Sequence, residues 1–105
     1  VWGVNVGRNI YKRPIDGSGG GWTSVAGVAR GFTHVSVGNG WVWGTGTSSN
    51  LLPGMTPVYY NYKCELPCSG QWISVPGDLK QVDAGEAEVW GVNTNDQIYK
   101  RPVDG

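Results

Sequence analysis

Apolar and polar residues alternate along this chain in short runs. None continues at the 3.6-residue spacing that a long amphipathic helix needs. In Val1–Asn5, Trp2 and Val4 fall on one face, with Val1, Gly3 and Asn5 on the other. Read this way, the sequence predicts short strands at 1–5, 9–14, 21–25, 33–38, 41–46, 57–63, 71–75, 79–84, 88–93 and 97–102. Gly, Asn, Asp and Pro separate the runs, as hairpin turns require. Val6-Gly7-Arg8-Asn9 and Thr94-Asn95-Asp96-Gln97 occupy equivalent turns, where a position with positive φ is expected to fall on Asn or Gly.

The pattern repeats. Val1–Gly17 and Val89–Gly105 align without gaps and agree at 12 of 17 positions. Trp22-Thr-Ser-Val-Ala-Gly returns as Trp72-Ile-Ser-Val-Pro-Gly, and His34-Val-Ser-Val-Gly returns as Gln81-Val-Asp-Ala-Gly. Val-Trp-Gly occurs three times, with Trp2, Trp43 and Trp90 at intervals of 41 and 47 residues. Those intervals fit a four-stranded propeller blade. The expected architecture is all-β, a β-propeller of four-stranded antiparallel blades, with about two and a half blades in this chain. Residues 1–32 would form a partial blade, 33–76 a full blade with an insertion at 51–70, and 77–105 a second partial blade. Blades are covered on both faces by neighbours. Small residues (Ser36, Gly38, Ala84, Gly85) suit the crowded strand nearest the axis, while Trp2, Trp43 and Trp90 are expected to fill the widening space between blades.

Composition narrows the function. Eight basic residues balance eight acidic ones, which argues against a nucleic-acid binder or a charged disordered tail. No apolar run is long enough to span a membrane as a helix. No signal peptide is visible and residue 1 is Val, so a processed chain or a fragment is expected. Cys64 and Cys68 sit in Cys-Glu-Leu-Pro-Cys. A local disulfide in a secreted protein is the expected state. A metal site would need two further ligands, and His34 is the single histidine.

The units W-x-x-V-x-G, L-K-Q-V-D-A-G and V-W-G-V-N-x-N-D-x-I-Y-K-R-P resemble the tectonin family of β-propeller lectins, most closely the fish-egg lectins and more distantly the horseshoe-crab lipopolysaccharide-binding lectin. The resemblance covers nearly the whole chain. It implies a propeller, typically six-bladed, in a secreted or egg-borne lectin. Such a lectin would recognise N-acetylglucosamine- or galactose-type glycans, or bacterial lipopolysaccharide, in innate defence. Val42-Trp-Gly-Thr-Gly departs from the pattern by losing the Asn.

Sugar recognition needs an aromatic platform and fixed polar groups. The repeat supplies one such set twice: Asn5, Tyr11, Lys12, Arg13, Asp16 and Trp22, then Asn93, Tyr99, Lys100, Arg101 and Asp104. Tyr11 and Arg13 share one strand face, Ile10 and Lys12 the other. A competing expectation makes Arg13 and Arg101 inter-blade staples to Asp16, Asp104 or Asp83. Catalysis has little support. Glu86 and Glu88 fall in one hairpin turn, His34 stands where Gln81 stands in the next unit, and Gly17–Gly21 lacks the residues of a phosphate loop. An enzyme such as a glycosidase ranks below a lectin, and below a structural or protein-interaction propeller. No cofactor is implied, and no acidic loop supports calcium. Expected partners are glycans or lipopolysaccharide, without nucleic acid or membrane insertion. The chain is expected to be a homo-oligomer or part of a larger propeller, because a lone partial ring leaves sheet edges and faces open.

Overall fold

The computed structural model describes residues 1–29, 31–47, 53–54 and 57–105. Among them the chain is all-β, with three antiparallel sheets. The first contains β1 (Trp2–Val4), β2 (Ile10–Lys12) and β3 (Thr23–Val25) in that order. The second contains β4 (His34–Gly38), β5 (Trp41–Thr47), β6 (Tyr59–Glu65) and β7 (Ile73–Val75). The third contains β8 (Leu79–Ala84), β9 (Glu88–Asn93) and β10 (Ile98–Pro102). Each predicted strand is present. β6 ends two residues later than predicted because Cys64 and Glu65 pair with Val42 and Trp41. Part of the 51–70 stretch is therefore the third strand of its sheet. Residues 51, 52, 55 and 56 lie outside the described residues.

Pairing register makes the three sheets equivalent. Trp2 faces Lys12, Trp43 faces Lys63, and Trp90 faces Lys100. Beside them Gly3 faces Tyr11, Gly44 faces Tyr62, and Gly91 faces Tyr99. Tyr62-Lys63 thus occupies the Tyr-Lys positions of β2 and β10. Counting on, Cys64 stands where Arg13 and Arg101 stand, and Cys68 where Gly17 and Gly105 stand.

Two cores lie between the sheets. Ile10 and Val25 of the first sheet bury against Val42, Cys64 and Cys68 of the second, with Phe32 fully enclosed between them. Trp43 and Val75 of the second bury against Val82, Val89 and Val103 of the third. Each such side chain contributes about 1.5–3 kcal/mol on leaving water. In two of the three Val-Trp-Gly units the glycine admits an apolar side chain from the segment between sheets: the Phe32 ring lies on Gly44 and the Leu79 methyl on Gly91, where a Cβ would collide. The inner strands approach most closely. Gly38 rests against the Gly85 carbonyl. The Ser36 hydroxyl donates to Asp83 Oδ1 (3.1 Å) and accepts from the Ala84 amide (2.9 Å). His34 Nε2 donates to the Val82 carbonyl (2.8 Å), so its role here is structural.

Two expectations need correction. Trp43 is buried between sheets and its indole N–H donates to Val103 O (2.9 Å), and Trp2 is half-buried, but Trp90 is 48% exposed. No described residue covers its face of the third sheet. In the β1–β2 and β9–β10 turns the positive-φ residues are Arg8 (66°) and Asp96 (62°), whereas the β4–β5 turn does use Asn39 (42°) and Gly40 (82°). The reason for the first two lies in the Asn that opens each of these turns. Asn5 Oδ1 accepts from the Asn9 amide (2.9 Å) and Asn93 Oδ1 from the Gln97 amide (2.9 Å), which pins the loop and forces its third residue left-handed.

Candidate binding site at the blade interfaces

A cleft of about 420 Å³ opens between the second and third sheets. Its floor is apolar, from Trp43, Val75, Val82 and Val89, and its mouth holds Asp78, Tyr99 and Arg101. It exists for a packing reason. The corresponding space between the first and second sheets is filled by Phe32, whose ring meets Tyr62 edge-on (5.5 Å) and Trp72 at a tilt (4.6 Å). At the next interface the smaller Leu79 takes the place of Phe32 and lies on Gly91. Asn61 lines the same cleft but its amide is committed. It donates to Leu79 O (2.9 Å) and to Thr45 Oγ1 (3.3 Å), and accepts from the Leu79 amide (3.0 Å).

The second candidate set divides. Tyr99, Lys100 and Arg101 all line this cleft. The Lys100 ammonium lies on the opposite face, 3.4 Å from Glu88 Oε2 and 5.3 Å from the Trp90 ring centre. Asn93 is buried in its turn, where its side-chain oxygen also accepts from the Asn95 amide (3.0 Å). Asp104 contributes its backbone carbonyl to Lys63 Nζ (3.1 Å).

The first set lies on the far face of the first sheet. Gly3, Val4, Asn5, Tyr11 and Trp22 line an open cleft of about 300 Å³, and the Arg13 guanidinium sits 5.6 Å from the Trp22 ring centre. Lys12 again points away, over Trp2 (5.6 Å). Asp16 accepts the Ser18 amide (2.9 Å), and this backbone hydrogen bond holds its carboxyl below the ordinary range. Trp22 corresponds to Trp72, which is half-buried between sheets against Phe32, its indole N–H donating to Ala26 O (2.8 Å).

The arginines are not staples to aspartate, which corrects that expectation. Arg13 donates to the carbonyls of Gly17 and Gly20 (both 3.4 Å), and Arg101 to that of Gly105. Each guanidinium curls back onto its own turn, while Asp83 is held by Ser36. Arg101 Nε is buried beside the cleft and, among the described residues, has no hydrogen-bond partner. Cys64 and Cys68 are disulfide-bonded with Cα atoms 5.6 Å apart, as expected. Among the described residues no three His, Cys, Asp or Glu side chains gather as a metal site.

Sequence reasoning missed Asp78, Asn61 and the apolar floor. The available signal was Tyr62-Lys63, which repeats Tyr-Lys of the other units but is disguised by Cys in place of Arg.

Antiparallel blades stacked face to face, with clefts between neighbours, define a segment of a β-propeller. The Tectonin domain model matches residues 31–104, and the chain belongs to that family of lectin-type propellers. No curated protein matches the chain.

Proposed function

We propose that the chain is part of a carbohydrate-binding lectin and that the cleft between the second and third sheets is a sugar site. One observation carries the reading: an apolar floor and the Tyr99 ring meet a polar mouth of Asp78 and Arg101, whose buried Nε has no partner. A pyranose has an apolar face for the ring and hydroxyls for an orphan donor and a carboxylate. The glycans we propose are N-acetylglucosamine- or galactose-type sugars and the saccharide of bacterial lipopolysaccharide, met in an extracellular fluid. The disulfide is compatible with that compartment. Binding rather than turnover is the proposed activity, without cofactor or calcium. Single-site affinity near millimolar corresponds to about 4 kcal/mol, so tight use requires several sites together.

Titration of the chain with N-acetylglucosamine, followed by NMR, tests this. Shifts should concentrate at Asp78, Tyr99 and Arg101, and Tyr99→Ala should abolish them with the fold retained. Shifts absent at all three, or unchanged in Tyr99→Ala, contradict the site.

A structural or protein-interaction propeller is the second reading. It is favoured by Tyr11 and Trp22, whose counterparts Tyr62 and Trp72 pack between blades. If it holds, no sugar shifts any residue of either cleft.

A further inference from the structure

The turn after the third strand does the same work in two sheets. In the third sheet the Gly105 amide closes the turn on Pro102 O (3.0 Å), which carries Val103 into the core. There the second sheet grips it, through Trp43 to Val103 O and Lys63 to Asp104 O. In the second sheet the Cys68 amide closes the equivalent turn on Glu65 O (2.9 Å). Leu66 and Cys68 then pack into the core shared with Ile10 and Val25 of the first sheet. Each turn therefore latches its blade to the blade before it.

The clamp across the turn differs. Arg13 to Gly17 and Arg101 to Gly105 are hydrogen bonds spanning four residues. Cys64 and Cys68, at the same positions and the same separation, are joined covalently. We propose that the disulfide substitutes for the arginine clamp in the second sheet, so that the latch between the first and second blades is redox-sensitive while the latch between the second and third is not.

A small dithiol supplies the reductant. It breaks the Sγ–Sγ bond, delivers two electrons and two protons to leave two thiols, and departs as its own cyclic disulfide. Both sulfurs are buried, so attack follows a transient lifting of the turn. A thiol donates only weakly, so reduced Cys64 does not replace the guanidinium hydrogen bond.

Hydrogen exchange of the full chain, with and without the dithiol, reads this out. The Cys68 amide and the Trp72 indole should exchange faster on reduction, by about thirtyfold at most for so short a loop. The Gly105 amide and the Trp43 indole should keep their rates. Equal acceleration at both latches, or none at the first after complete reduction, overturns the proposal. Cys64→Arg with Cys68→Gly installs the sister clamp, and its exchange should be indifferent to dithiol. Should that variant not fold, Arg101→Cys with Gly105→Cys transfers the disulfide to the third sheet. The pair should oxidise, seen as loss of two hydrogens by intact mass, and should make the Val103 turn dithiol-sensitive. Two thiols persisting under oxidising conditions overturn the equivalence.

Discussion

Asn61 occupies the position of Ile10 and Ile98, and the exchange of an apolar residue for an amide has a visible cause. Its side chain pairs with both backbone groups of Leu79, as a neighbouring strand would, and so holds the linker between the second and third blades. Asn61→Ile matches the sister sheets but strands the Leu79 amide and carbonyl, at about 1–3 kcal/mol for each unsatisfied group. Chemical denaturation should show a loss of that order. A neutral result would mean the linker is held by packing alone. Gly44→Ala is expected to cost about 1–3 kcal/mol by overpacking against Phe32. Gly40→Ala is a poor control because Gly40 has φ +82°, so Gly21→Ala, in open space at ordinary φ, serves instead. At the surface, the Lys80 ammonium 2.9 Å from Asp96 holds that carboxyl below the ordinary range, first through its hydrogen bond and then its charge. The folded pKa is the lower one. The pair's small stabilisation is therefore complete above the ordinary carboxylate range and is lost as pH falls through the lowered value. Carboxyl NMR titration should show the Asp96 midpoint rising toward its ordinary value in Lys80→Ala.

At the scale of the strand and turn, alternation and turn residues made all ten elements legible, because a short strand between Gly- or Asn-bearing turns carries its own signal. Edges were less legible. The end of β6 depends on pairing with Trp41 and Val42, which no local pattern shows. The equivalence of Tyr62-Lys63 with the other Tyr-Lys pairs emerged only from register, since Cys64 and Cys68 replace the Arg and Gly that mark the unit elsewhere. Of the candidate site, Tyr99 and Arg101 were legible, whereas Asp78 was not. It lies in the linker after β7, and only the stacking of the third sheet on the second brings it to the cleft. Asn93 was misleading for a physical reason: a repeated Asn after a strand serves the hairpin itself. Asn93→Ala should hand the exposed Gln97 and Asn95 amides to water, and the expected loss is about 0.5–1.5 kcal/mol in stability for each hydrogen bond removed. Any change in sugar affinity should follow only from the altered fold, so calorimetric unfolding and sugar titration of the same variant distinguish the two roles.

At the scale of the molecule, the outward faces match the faces already buried. Trp90, Val92, Ile98 and Lys100 on the far side of the third sheet repeat Trp2, Val4, Ile10 and Lys12, the residues the first sheet turns toward the second. On the far side of the first sheet, Gly3, Tyr11 and Trp22 repeat Gly44, Tyr62 and Trp72, which receive them. Exposed apolar faces of this kind associate, and these two match head to tail, so each would accept a further blade, from the same propeller or from another copy. Light scattering of the purified 105-residue chain across a concentration series tests the stacked-blade account most directly. The account predicts a mass that rises above the monomer with concentration and falls back in Trp90→Asp. A cooperatively folded monomer at every concentration would contradict it.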